Sequence, residues 1–477
     1  MIRSARPPVL LLGVGLGVIA LAFPEVAQAH GIVGRADLPI PVWLFSWAAA
    51  IVLVVSFVAL SALWMTPQLQ EQRLRRLCKL PAVAEWLASL VGLALFALVL
   101  YSGFAGAQVA LANFSVTFIY VVFWVGLPVL SVLFGDIFRA FSPWRTCARL
   151  AVALVGAVRG GAVDPPLRYP RRLGMWPAVA GLVGFGWLEL VYVLPDRDQP
   201  STLAALSLAY FVVMVLGMLL FGVEGWSKRA DGFGAYFGLL SRLSALTRDE
   251  QGYVCLRRPL SGLTDLPLRR GTVALICTII GTTTFDGLSN GGLWRQNELS
   301  LQSPFNDLGF HQVPAIELTY SVGLVLCILL IAGIYRLGII GVASINDRYD
   351  RDELTRTFAH TLVPVAFAYV LAHYFSLLLW QGQAVGYLAS DPLGNGSNLF
   401  GTSTYQINYQ IISYAAIWYV QVAALLSGHV GGLILSHDRA LVLYRDPQDA
   451  VRSQYWMLAV MVAFTSFGLW LLSAVGT

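Results

Sequence analysis

Phe114-Ser-Val-Thr-Phe-Ile-Tyr-Val-Val-Phe-Trp-Val-Gly-Leu-Pro-Val-Leu-Ser-Val-Leu-Phe134 contains no charged side chain. A helix of that length is about 31 Å long at 1.5 Å per residue, which matches the hydrocarbon core of a bilayer. Immediately after it come Gly135-Asp136 and then a basic segment from Arg139 to Arg172. Apolar run and basic loop together read as a transmembrane helix delivering the chain to an inner membrane face.

The rest of the chain repeats this pattern. Further apolar runs cover residues 41–64, 82–104, 174–194, 201–223, 271–288, 314–335, 357–380, 409–435 and 455–475. Across 477 residues, 57% are apolar and only 12% charged. An average soluble domain carries about 25% charged residues, so this chain cannot cover a folded surface against water. Disorder fails for the opposite reason, since there is ample apolar surface to bury. The fold class is therefore all-α: a polytopic transmembrane helix bundle of ten spans.

The first 29 residues read as a signal peptide. Arg3 and Arg6 form a basic start, residues 9–23 an apolar stretch too short for a span, and Ala27-Gln28-Ala29 a cleavage site. Cleavage leaves residues 30–477 as one membrane domain that begins at His30. The amine and imidazole of a terminal histidine can chelate one metal ion.

Charge placement gives the orientation. Of 31 Lys and Arg, 26 fall in the five loops predicted to be inner, and none lies in a span. The outer segments hold only Arg35, Arg197 and Arg295. This bias predicts a multi-pass membrane protein with its mature N-terminus and Thr477 on the outer face. The net charge of +5 is then topological and gives no support for a nucleic-acid partner. Cys78, Cys147 and Cys255 fall in inner loops and Cys277 and Cys327 in spans, so no disulfide framework is expected.

Two kinds of loop stand out. The inner loop 224–270 carries Phe233, Phe237, Leu240 and Leu243 at helical spacing, an amphipathic helix expected on the membrane surface. The outer loops 289–313 and 381–408 are rich in Gly, Ser and Asn and read as lids or binding loops.

Ionisable groups inside spans are costly, so each is a functional candidate. Glu189, Asp286, Glu317 and His373 sit on four different helices at one depth, in the outer half. His311 and Asp391, on the long outer loops, can lean over the same place. Three carboxylates and an imidazole without a neighbouring Lys or Arg imply a bound cation or shared protons. A divalent ion, Zn or Mn, suits these ligands. The candidate metal ligands are Asp286, His373 and His311, with Glu189 and Glu317 as ligand or general base to a metal-activated water. The structural alternative is that each group hydrogen-bonds Ser, Thr, Tyr or backbone on a neighbouring helix. A second set, His360, His429, His437 and Asp136, faces inward and reads as interfacial structure or as one end of a proton path. No H-E-x-x-H, Walker A or Rossmann fingerprint occurs and the spans offer too few histidines for bis-histidine haem, so no nucleotide, flavin or haem is expected, nor an α/β-hydrolase serine.

Several short motifs point to a family. They are Gly31-x-x-Gly34-Arg-x-Asp37-Leu-Pro39, Ser142-Pro-Trp-Arg145, Tyr236-Phe-Gly-Leu-Leu-Ser-Arg242, Thr283-Thr-Phe-Asp-Gly287, Leu371-Ala-His-Tyr-Phe375 and His437-Asp-Arg-Ala-Leu441. The set resembles bacterial multi-span inner-membrane proteins of the fenitrothion hydrolase type. That resemblance implies cleavage of the P–O–aryl bond of an apolar organophosphorus triester, and it carries over no catalytic residue. The competing expectation is a cation- or proton-coupled transporter, or an accessory subunit of a membrane complex. Expected partners are the lipid bilayer, an apolar small-molecule substrate and further subunits of a homo- or hetero-oligomer.

Overall fold

The computed structural model describes residues 42–192, 199–345, 349–444 and 446–474. The signal peptide, His30, the Gly31–Pro39 motif, Arg197 and Asp347-Arg348 lie outside those residues.

The first described helix, α1 (Val42–Leu63), explains the architecture. Phe45, Ala49, Leu53 and Phe57 recur every fourth residue and are buried, whereas Ile51, Val55 and Val58 are each more than half exposed. A helix apolar all round that packs only one stripe presents the rest to lipid. The same holds for α2 (Ala82–Ala105), whose Leu87 and Leu90 are exposed. It holds too for α3 (Phe114–Phe134), which is π-helical over Phe118–Gly126.

The remaining principal helices follow in chain order. They are α4 (Pro143–Arg159), α5 (Trp176–Leu190), α6 (Pro200–Phe221), α7 (Gly232–Leu240), α8 (Thr272–Ser289) and α9 (Gly292–Asp307). Then come α10 (Gln312–Ala343), α11 (Leu362–Gln381), α12 (Tyr414–Leu443) and α13 (Pro447–Ala474). Among the described residues nine helices are long and apolar enough to cross a membrane. This is an all-α polytopic bundle. Hydropathy along the sequence predicts ten spans. The tenth, α5, has 15 residues, about 22 Å, shorter than a bilayer core.

Helix α8 is the hub, with 83% of its span-length window buried. It packs on α10, α11 and α5. Because it meets protein rather than lipid, it tolerates the Thr282-Thr283-Thr284 run. Thr282 and Thr283 hydroxyls donate to carbonyls one turn back, within 3.1 Å.

The basic loops meet one another at one end of the bundle. β1 (Arg75–Lys79), β2 (Leu246–Arg248) and β3 (Tyr253–Leu256) form an antiparallel sheet in the order β1-β3-β2. The Ser142 hydroxyl caps α4, Trp144 donates to the buried Asp231 at 2.7 Å, and Arg145 pairs with Glu224 at 2.7 Å. Asp438 accepts from Trp64, the Gln68 and Leu69 amides and Gln70, fixing the chain that leaves α1. Around Glu224, burial pushes the carboxyl pKa up, but the Arg145 hydrogen bond and the charges of Arg145, Arg139 and Lys228 pull it down to about 2. At the opposite end Ala107 and Phe114 amides donate to Leu393 and Pro392 carbonyls, joining segments 106–114 and 391–394.

Three loop readings change. Phe233, Phe237 and Leu240 of α7 are buried inside the bundle against α5 and α3, where the sequence reading laid them on a membrane surface. Their neighbours Tyr236 and Leu239 are buried as well, so the helix is apolar on every face. Loop 289–313 is largely the helix α9. Loop 381–408 contains a short helix, Ala384–Ser390, after which Asp391 accepts from the Asn395 and Gly396 amides. Asp391 therefore closes its own turn rather than leaning over other residues.

Candidate functional site

Asp286 lies three residues from the end of α8, and His373 lies in the corresponding half of α11, away from the basic loops. Their side chains meet, with Asp286 Oδ2 2.8 Å from His373 Nε2. Asn290, one turn after Asp286, donates to its Oδ1 at 2.9 Å. The Tyr374 side chain lies near this carboxylate. The Tyr374 ring meets the His373 ring edge-on at 4.6 Å between centroids. Asp286 is only 8% exposed. A carboxylate taken from water is stable only with such partners, and here it has two, His373 and Asn290.

Glu189, at the end of α5, belongs to the same neighbourhood: its charge is felt by both Tyr374 and Tyr236. Tyr374 thus lies within electrostatic reach of both carboxylates. Sequence reasoning missed this residue, although it directly follows His373 in the Leu371–Phe375 motif.

Beside the pair lies a cavity of about 20 Å³ lined by Thr283, Tyr369, Ala372, His373, Leu425, Gly468 and Leu471. That is room for a single water molecule. His373 Nδ1 makes no hydrogen bond to the described residues.

The other sequence-predicted groups do not join the pair. His311 is exposed, precedes α10, and has no hydrogen bond or ion pair to Asp286 or His373 among the described residues. Glu317 is half-buried on the second turn of α10, and its carbonyl accepts from Ser321. Among the described residues no group of three or more His, Cys, Asp and Glu side chains is arranged to hold a metal ion. The donor set at Asp286 is two protein ligands, one short of a catalytic zinc site.

One serine pattern departs from the expectation of no α/β-hydrolase motif. Gly287-Leu-Ser289-Asn-Gly291 has the G-x-S-x-G spacing of α/β-hydrolase nucleophiles. It sits at a helix C-terminus rather than on a strand-to-helix elbow, and Ser289 donates to the Asp286 carbonyl at 3.2 Å. The context that activates such a serine is missing.

No protein-family model, curated protein or solved structure matches the chain. The chemistry of the site therefore stands on its own geometry.

Proposed function

We propose that this membrane-embedded bundle handles protons, binding one at the Asp286–His373 pair and coupling it to transport across a bacterial inner membrane. The observation that carries the reading is the 2.8 Å contact between a buried carboxylate and an imidazole beside a cavity the size of one water. Histidine is the side chain whose ordinary pKa places its charge change near neutrality. A carboxylate against one ring nitrogen holds the imidazole in place and stabilises the imidazolium. Sites for apolar small molecules measure about 300–1,000 Å³, far above this cavity. A proton needs no such room.

The orientation follows the positive-inside bias, with the basic loops in the cytoplasm and the pair in the outer half. The test is proton flux into liposomes containing the purified protein. The wild type is expected to dissipate an imposed pH gradient, and Asp286→Asn and His373→Gln to lose that ability. Equal rates in all three would end the proposal.

A second reading is hydrolysis of an apolar organophosphorus triester. It is favoured by one observation: two of the motifs carrying the resemblance, Thr283–Gly287 and Leu371–Phe375, are the two segments that Asp286 and His373 join. In that reading His373 is the general base, oriented by Asp286, for a water attacking phosphorus. Nitrophenol release from a nitrophenyl phosphotriester, with and without chelator, tests both the activity and its need for Zn or Mn. No release under either condition removes this reading.

A further inference from the structure

Three buried histidines share one arrangement. His360 Nδ1 lies 3.0 Å from the Thr357 carbonyl, His429 Nδ1 2.8 Å from the Leu425 carbonyl, and His437 Nε2 2.9 Å from the Trp64 carbonyl. A carbonyl only accepts, so the nitrogen facing it carries the hydrogen. The second nitrogen of a neutral ring is then a bare acceptor. In each of the three it is buried without a hydrogen-bond partner among the described residues. Leaving an acceptor bare in a dry core costs stability, so a purely structural role is better served by an apolar ring.

His429 has the most informative position. It is fully buried on α12, facing α11. Its ring lies 6.2 Å from Tyr369 and 5.9 Å from Phe464, centroid to centroid. Tyr369 is one turn from His373 and lines the same water-sized cavity, as does Leu425. Glycines make the seam narrow: a Cβ on Gly428 would stand 2.7 Å from the Pro364 carbonyl oxygen, and one on Gly468 would collide with the Tyr369 hydroxyl. Two turns beyond His429, Ser436 bonds Gln454, which donates to Ser453 at 3.0 Å, all three buried. Next to Ser436, His437 lines a cavity of about 350 Å³ at the basic end. No Lys, Arg, Asp or Glu makes an ion pair or hydrogen bond with His429 among the described residues.

We propose that His429 is the proton-transfer station between the Asp286–His373 pair and the basic face. The N–H bond of the His373 imidazolium breaks as its proton passes to a water in the cavity. The proton then forms an N–H bond at His429 Nε2 while Nδ1–H stays on the Leu425 carbonyl. Release from Nε2 toward Ser436, Gln454 and His437 restores the neutral ring. This inference rests on the proton reading above and adds the route to it.

The experiment is proton flux in liposomes with wild type, Asp286→Asn, His429→Phe and His429→Gln, each checked for its folded elution volume. Phenylalanine preserves packing against Tyr369 and Phe464. Both His429 variants are expected to lose about tenfold in rate, equivalent to about 1.4 kcal/mol in barrier. Flux lost in Asp286→Asn but intact in His429→Phe and His429→Gln would overturn the station and leave the proton reading standing. Flux absent from the wild type would overturn both. A substitution-free check uses the sole Gly-His dipeptide, Gly428-His429, to assign the His429 ring by isotope labelling and solid-state NMR. Nδ1–H with bare Nε2 is expected; the reverse tautomer would overturn the proposal.

Discussion

Asp286 on α8 and His373 on α11, 87 residues apart in the chain, share a 2.8 Å hydrogen bond in the interior of the bundle. Each is the other's main polar partner, so their energetics are coupled. Removing one leaves a buried polar group exposed to apolar surroundings. Asp286→Ala and His373→Ala are each expected to destabilise the protein by about 2–3 kcal/mol. A double-mutant cycle on thermal unfolding in detergent measures this. The double variant should cost clearly less than the two single losses together.

Asp438 is a structural counterpart at the basic end. Four donors converge on its carboxylate, including the Gln68 and Leu69 amides. Asp438→Ala is expected to cost about 3 kcal/mol and to free the segment after α1. Limited proteolysis near Gln68 reports the second effect, and an unchanged digestion pattern would show that other contacts hold that segment.

Acid stability carries a signature of Glu224. Its folded pKa, about 2, lies below its ordinary value of 4.5. A depressed carboxylate contributes stability above its unfolded pKa and loses it as pH falls through the folded one. The contribution is thus present above about pH 4.5 and lost toward pH 2. The side chain is half exposed, so solvent screening keeps it near 1 kcal/mol or less. Glu224→Gln should lower Tm slightly near neutrality, flatten the Tm-against-pH curve between about pH 4.5 and 2, and converge with wild type at the acid end.

Sidedness has a simple reporter. Cys78 on β1 is exposed at the basic end, whereas Cys255, Cys277 and Cys327 are buried. A membrane-impermeant thiol reagent is expected to label inside-out vesicles and spare intact spheroplasts. Labelling of Cys78 from outside the cell would invert the proposed orientation.

The all-helical fold was legible because lipid-facing positions such as Ile51 and Val55 are apolar for solvent reasons alone, independent of tertiary context. Depth along a helix was legible too, so Asp286 and His373 were placed level with each other. Azimuth was not. Glu317 shares that level yet does not join the pair, because the rotation of α10 depends on packing that hydropathy does not encode. α7 was misplaced for a related reason: Phe233 and Phe237 recur at helical spacing in a surface helix and a buried one alike. Tyr374 was overlooked because an aromatic residue beside His373 carries no signal until the second carboxylate, Glu189, is known to lie near it.

The most direct test counts protons. A pH-indicator titration of the detergent-solubilised protein across the histidine range would compare wild type with Asp286→Asn and His373→Gln. The account predicts that both variants take up fewer protons than wild type, because each lacks one member of the proton-binding pair. Superimposable curves for all three proteins would contradict it.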